Sequence, residues 1–280
     1  MLQLAGVAVE ATSVAGLETN IQLPGFDLAF DLGVCPPSAV SRRNVLFTHA
    51  HIDHMGALVS HCATRSLFGM KTPRYLLPAE NHEGVLELLE VWRRLDKSAL
   101  ACTLEPVRPG DQVQLAPGLR AEVFRSIHRV PSVGYALHKT RSKLLPAWQG
   151  APGPEIRDAR ARGEVVSHEV EALEAAFCGD TVIDVLDREP ALLRAGLLIL
   201  ECTFVDDKVS VEGARRLGHV HLDEIVERAE LFENQALLLT HLSARYDHRY
   251  AAAEIYRRLP PSLGARTTVL RNQRIGEGRA

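Results

Sequence analysis

The stretch Asn44-Val-Leu-Phe-Thr-His-Ala-His-Ile-Asp-His-Met-Gly-Ala-Leu58 decides how the chain is read. A short apolar run, Val45–Phe47, leads straight into His49, His51, Asp53 and His54. Alternation sets His49 and His51 on one side of an extended turn, and Asp53 and His54 continue round it towards a second metal position. Imidazole suits a borderline-soft divalent ion, and a carboxylate beside it gives a hydrolytic donor set. A lone histidine is more often solvated or a core donor, but four potential ligands within six residues make a metal site the better reading.

Such a site needs further ligands at the ends of other strands. Three residues qualify: His128 after the strand-like EVFRSI, Asp180 after AAFCG, and His241 after QALLLT. The strand-like segments around them set the expected architecture. NIQLP, DLAFDLG, NVLFTHA, RYLLPA, DQVQLA and LRAEVFRSI read as strands, and GLLILECTF and QALLLTHLS as strands buried on both faces. EGVLELLEVWRRLD and LDEIVERAELFEN carry apolar residues at helical spacing. Alternating elements with a β-heavy start point to an α/β protein, a layered αββα sandwich rather than a purely parallel sheet, organised as one domain over 1–280. In LLPAWQGAPGPEIRDARARG, Pro146, Gly150, Pro152, Gly153 and Pro154 predict an irregular inserted arm, at about 139–163.

Composition narrows the classes. With 32 Lys and Arg against 35 Asp and Glu, the net charge of −3 offers no global attraction for nucleic acid, so any such binding must rest on a local patch. The arm offers one: Lys139, Arg141, Lys143, Arg157, Arg160 and Arg162 outnumber Glu155 and Asp158. Contacts of this type neutralise phosphates without reading bases. Five scattered cysteines with no CxxC pair argue against a disulfide framework and a thiolate metal site. No signal-like N-terminus or apolar run of about 18 residues is present, so a soluble cytoplasmic chain is expected.

Taken in order, the HxHxDH loop, His128 in HRVPSVGY, Asp180 in CGDT, ECTF, GHVHLDE and His241 in THLSARY resemble the tRNA 3′-processing endonucleases of the ribonuclease Z (tRNase Z) family. The likeness is strongest to the short form found in plants and runs from about Gly16 to Leu259. HxHxDH specifies only the metallo-β-lactamase superfamily; GHVHLDE and THLSARY narrow the assignment. The resemblance implies the metallo-β-lactamase fold and two zinc ions, with Mn2+ or Fe2+ as options. His49, His51 and His128 would hold one ion and Asp53, His54 and His241 the other, with Asp180 bridging. It further implies His219 as the acid that protonates the leaving ribose oxygen; Asp53, beside the bridging water of such a centre, is the expected general base, or else a ligand only. Glu201 is the expected carboxylate partner of His219, while His221 would orient a neighbour or cap the following helix. Ser243 and Arg245 are expected to meet the substrate phosphate, or to bond locally in their loop. The substrate implied is precursor tRNA, cut to leave a 3′-hydroxyl on the tRNA and a 5′-phosphate on the trailer, by a homodimer with no membrane association. The alternative is a hydrolase of the same fold acting on a small phosphodiester, thioester or lactone.

Overall fold

The computed structural model describes residues 1–270; the final stretch of the expected domain, 271–280, lies outside the described residues. Two sheets face each other. The first runs in sequence order through β1 (Leu2–Leu4), β2 (Val7–Ala15), β3 (Glu18–Leu23), β4 (Leu28–Phe30), β5 (Asn44–Leu46), β6 (Arg74–Pro78) and β7 (Thr103–Val107). The second has β8 (Gln112–Ala116), β9 (Leu119–Arg125), β10 (Val133–Leu144), β11 (Ser167–Phe177), β12 (Leu197–Glu201) and β13 (Ala236–Thr240), with β15 (Thr267–Val269) at its edge. A two-residue strand, β14 (Leu242–Ser243), crosses over to pair with β2 and ties the sheets together just past His241.

The helices cover the outer faces. α1 (Ile52–Met55), α2 (Leu58–Leu67) and α3 (His82–Asp96) lie on the first sheet, and α5 (Val185–Arg188) to α9 (Pro261–Gly264) on the second, with α6 (Val211–Leu217), α7 (Leu222–Glu227) and α8 (His248–Arg258) between them in sequence. The layering follows from period-2 alternation. In β12, Leu197 and Ile199 join the core between the sheets, while Leu198 and Leu200 face the helices. β6 divides likewise, with Leu76 inward and Tyr75 and Leu77 outward. Strands covered on both faces must be apolar throughout, which is why GLLIL and QALLL are uninterrupted.

Two expectations are corrected. The Gly/Pro-rich arm is not irregular: β10 and β11 continue as a long antiparallel hairpin, capped by α4 (Gly153–Ala161). Pro154 stands in the first turn of α4, where a missing N–H costs nothing because that group has no partner within the helix. The segment LDEIVERAELFEN forms a helix only over Leu222–Glu227, then tightens into a 3-10 turn at Ala229–Leu231.

Candidate metal centre

The sequence places each ligand just past the end of a strand, and the fold brings those ends together. His49 follows β5, His128 follows β9, Asp180 follows β11 and His241 follows β13. His51 begins α1 as its N-cap, and Asp53 and His54 lie within that single turn. The ligand atoms of His49, His51, His128 and Asp180 all fall within 4.8 Å of one another, as do those of Asp53, His54 and His241.

The spacing matches a tetrahedral ion. A metal–nitrogen bond of about 2.0–2.1 Å implies edges of roughly 3.3 Å between ligand atoms. His49 Nε2 lies 3.0 Å from His51 Nδ1, and His128 Nε2 3.4 Å from the same atom. In the second cluster His54 Nε2 and His241 Nε2 are 3.4 Å apart, and Asp53 Oδ2 is 3.7 and 3.6 Å from them. Asp180 serves both clusters. Its Oδ1 lies 3.3 Å from His54 and 3.4 Å from His241, and its Oδ2 3.8 Å from His49 and 4.0 Å from His128.

The outward nitrogens are anchored, which fixes the tautomers. His49 Nδ1 donates to Thr48 Oγ1 at 3.0 Å, His54 Nδ1 to Asp31 at 2.8 Å, His128 Nδ1 to the Gly218 carbonyl at 2.9 Å, and His241 Nδ1 to Thr203 Oγ1 at 3.1 Å. Asp31 is wholly buried and also accepts from the Thr48 N–H (2.7 Å) and hydroxyl (2.8 Å). Asp31, Thr48 and Thr203 were not among the residues expected from sequence. The Asp in DLAFDLG lies in a strand-like run, and nothing local marks it as a support for histidines in the next segment.

Backbone shape contributes as well. Asp31 and His241 both adopt left-handed conformations, at φ 55° and 58°, a strain that surrounding bonds must hold in place. Gly218, at φ 82°, leaves no room for a side chain: an added Cβ would stand 2.7 Å from His128 Nδ1.

Electrostatics divide the ligands. Burial pushes His49, His51 and His128 below the ordinary imidazole range and leaves them neutral, as ligands must be. His54 resists the same burial because Asp180 and Asp31 hold its proton, so its affinity is raised. Burial would also raise Asp53, but the hydrogen bond from His241 and the charges of His54 and His241 outweigh it, holding that carboxyl well below its usual range. The Gly16 N–H adds a bond to Asp53 Oδ2 at 2.8 Å. Three imidazoles held neutral, with ionised carboxylates beside them, fit a divalent cation, and the two clusters offer two places for one.

His219 stands beside this centre. Its Nδ1 lies 2.8 Å from Glu201 Oε1 and 4.0 Å from Asp180. Burial lowers its proton affinity, but the Glu201 carboxylate more than compensates and lifts its pKa to about 9. Glu201, 1 % exposed, also accepts from Thr181 N, Val220 N and the Thr203 hydroxyl. His221 faces away: its side chain accepts from Asp223 N–H and caps α7, with Glu224 returning a bond to its own N–H. Ser243 Oγ accepts from the Arg245 N–H at 3.4 Å, a bond local to the loop, and the Arg245 side chain is exposed.

The arm corrects the expected charge. Between 139 and 174 the six cations meet Glu155, Asp158, Glu164, Glu169, Glu171 and Glu174, because the returning strand is acidic. Arg141 pairs with Glu174, Arg157 with Asp158 and Arg162 with Glu164. Lys139 sits over the Phe26 ring at 5.1 Å. The arm is therefore neutral overall, with Lys139, Arg141 and Lys143 alternating onto one face of β10.

Among known proteins, a family described as "Beta-lactamase superfamily domain" matches residues 24–242. The chain is 40% identical over 271 residues to tRNase Z TRZ1 of Arabidopsis thaliana, covering 96% of each protein. It is 35% identical over 247 residues to the chloroplastic tRNase Z TRZ2 of the same plant, covering 88% of this chain and 70% of that one. Among solved structures, the short form of human tRNase Z superposes with a TM-score of 0.60 at 18% identity, over 94% of this chain and 95% of the other. The metallo-beta-lactamase fold protein YhfI of Bacillus subtilis gives 0.62 at 16% identity, over 94% and 95%. With the αββα layers, the strand-end ligands and these relatives in agreement, the chain belongs to the tRNase Z family of the β-lactamase superfamily.

Proposed function

We propose that the chain is a zinc-dependent endoribonuclease that removes the 3′ trailer from precursor tRNA, leaving a 3′-hydroxyl on the tRNA and a 5′-phosphate on the trailer. The observation that carries this reading is His219, held on Glu201 and 4.0 Å from the bridging Asp180. A half-buried acid beside a centre with room for two ions is what departure of a ribose oxygen needs. Two zinc ions, when bound, would supply an activated water and neutralise the phosphate. His49, His51 and His128 would hold one, Asp53, His54 and His241 the other, and Asp180 both.

The protein's own groups then divide the proton work. His219, held on Glu201 through Nδ1, gives the proton on Nε2 to the leaving 3′-oxygen; solvent then takes the proton that Asp53 accepted and reprotonates His219, which the Glu201 carboxylate favours. Asp53, ionised and next to the second ligand cluster, accepts a proton from the attacking water; its low proton affinity makes ligation the heavier of its two roles. Ser243 and Arg245 stand in the loop past His241, where a guanidinium can meet a non-bridging phosphate oxygen.

β10 begins at Val133, beside the metal ligands, and carries the arm tip about 35 Å away at roughly 3.3 Å per residue. That reach supports an arm gripping the body of a folded RNA, with Lys139, Arg141 and Lys143 on one strand face and Arg157, Arg160 and Arg162 on or beside α4. It also supports a homodimer in which each arm serves the other subunit. Five free thiols support a reducing, cytoplasmic setting, and no helix among the described residues is long and apolar enough to cross a membrane. The arm's charge balance favours a second reading, a hydrolase of a small phosphodiester, thioester or lactone. Incubating the zinc-loaded protein with end-labelled precursor tRNA separates the two: a product ending at the mature 3′ terminus supports the first, and faster turnover of a lactone or thioester with intact tRNA supports the second.

A further inference from the structure

Beside His128 lies a cleft of about 330 Å3 that neither the ligands nor the arm explains. The loop between β9 and β10 forms one wall, and Arg125, Arg129 and Arg188 line it together with Glu80. All three arginines are exposed, and none is within ion-pair distance of a carboxylate among the described residues. Several other arginines of the body are held by carboxylates: Arg74 by Glu105, Arg120 by Glu171, Arg215 by Asp184 and Glu224, and Arg258 by Asp223. Even Asp187, adjacent to Arg188 in sequence, is taken by Arg228. Three uncommitted guanidiniums against one carboxylate leave the cleft with a local charge of about +2 on a chain whose total is −3.

The cleft is small and mixed: Ser126 and Ser132 share its lining with Ile127, Val130 and Val133, and the three guanidiniums beside them do not suit a wholly apolar partner. Its cations suit phosphate, which guanidinium binds bidentately. It also adjoins the acid: a Cβ on Gly218, the residue before His219, would stand 3.3 Å from Arg129 Cγ. The arm tip, about 35 Å along β10, cannot fix the scissile bond to within an ångström, so something nearer must.

We propose that Arg125, Arg129 and Arg188 bind backbone phosphates of the RNA nucleotides next to the scissile bond and lay that strand across the metal centre. The inference rests on the RNA-cleaving reading. The phosphates belong either to the acceptor end of the tRNA or to the trailer. Because these contacts are made before and during the reaction alike, their loss raises KM more than it lowers kcat.

The test compares the zinc-loaded parent with a triple variant, R125A/R129A/R188A, and its lysine counterpart, R125K/R129K/R188K. The substrates are precursor tRNAs bearing a one-nucleotide or a fifteen-nucleotide trailer, and KM and kcat are measured across a salt series. The alanine variant should raise KM about tenfold or more, with the slope of log KM against log salt shallower by roughly 2, at about 0.7 per lost single-strand phosphate contact. The lysine variant should recover most of the slope, and Glu80→Gln should lower KM about twofold. Loss with both substrates assigns the cleft to the acceptor side, and loss with the long trailer alone assigns it to the trailer. Zinc content and melting temperature report whether the variants are folded. An unchanged KM and slope on RNA that the parent cleaves would overturn the inference and leave the endoribonuclease reading standing; so would a KM rise that lysine does not reverse and salt does not modulate. A parent that cleaves no precursor tRNA overturns both.

Discussion

The metal end of the molecule and the tip of its arm are built on opposite terms. At the metal end, buried polar groups answer one another through named contacts: Asp31 accepts from three donors, Glu201 from four, and Asp180 faces five imidazoles. At the arm, charges stand in solvent and pair loosely, as with Arg157 and Asp158 at 3.7 Å, both largely exposed. Buried networks are costly to disturb, whereas exposed pairs contribute little. Chemistry therefore resides where substitution is expensive, and substrate reach where it is cheap.

The comparison predicts a gradient of effects. Asp180→Asn, at the point shared by both clusters, should lower cleavage by about four orders of magnitude and cut bound zinc to at most one ion per chain, read by elemental analysis. A variant that keeps two ions would remove Asp180 from the bridging position. His219→Ala should lower kcat by about 10²–10⁴ with zinc content unchanged if, as proposed, it contributes a proton and not a ligand; loss of zinc in this variant would make it a ligand instead. The pH profile sharpens this. Glu201 raises the His219 pKa to about 9, so the protonated acid persists through neutral pH and kcat falls as pH rises through that value. In Glu201→Gln the loss of the carboxylate charge should move the alkaline fall to lower pH; an unmoved limb would sever the pair.

Next in size, Asp31→Asn should weaken zinc binding by about 10–100-fold, the usual cost of losing a partner behind a ligating histidine, as measured by competition with a chelator. The smallest effect belongs to the arm. Replacing Lys143 and Arg160, neither of which pairs with a carboxylate among the described residues, should raise KM for precursor tRNA a few-fold and flatten its salt dependence by about 1–2 units of slope. If the arm variant outweighs His219→Ala, the gradient is wrong.

The same contrast explains what could be read from the sequence. That His49, His51, Asp53, His54, His128, Asp180 and His241 converge was legible because they follow apolar strands and their donor types suit one chemistry. His219 was legible through family likeness, and Glu201 through the need for a carboxylate to keep that imidazole protonated; the two meet at 2.8 Å. Asp31 was not, because a buried aspartate that supports histidines looks like any acid in a strand, and its role exists only once β4 and β5 lie side by side. The arm misled in two ways. Its glycines and prolines suggested an irregular loop, although Pro152 and Pro154 introduce a helix. Its basic residues suggest a charged patch, although half of the acids that balance them, Glu169, Glu171 and Glu174, return on β11 beyond residue 163. The Arg125, Arg129 and Arg188 group was invisible because Arg188 approaches the β9–β10 loop only in three dimensions.

The candidate ligands span His49 to His241 and draw on both sheets, so no short fragment holds either cluster complete. A cation that binds here rewards only the finished chain, since it stabilises the native state over every partly assembled one. Metal supply then becomes a checkpoint on maturation: thermal stability should climb with free zinc concentration, and a protein that has stalled with its sheets undocked should fail to retain the ion at all.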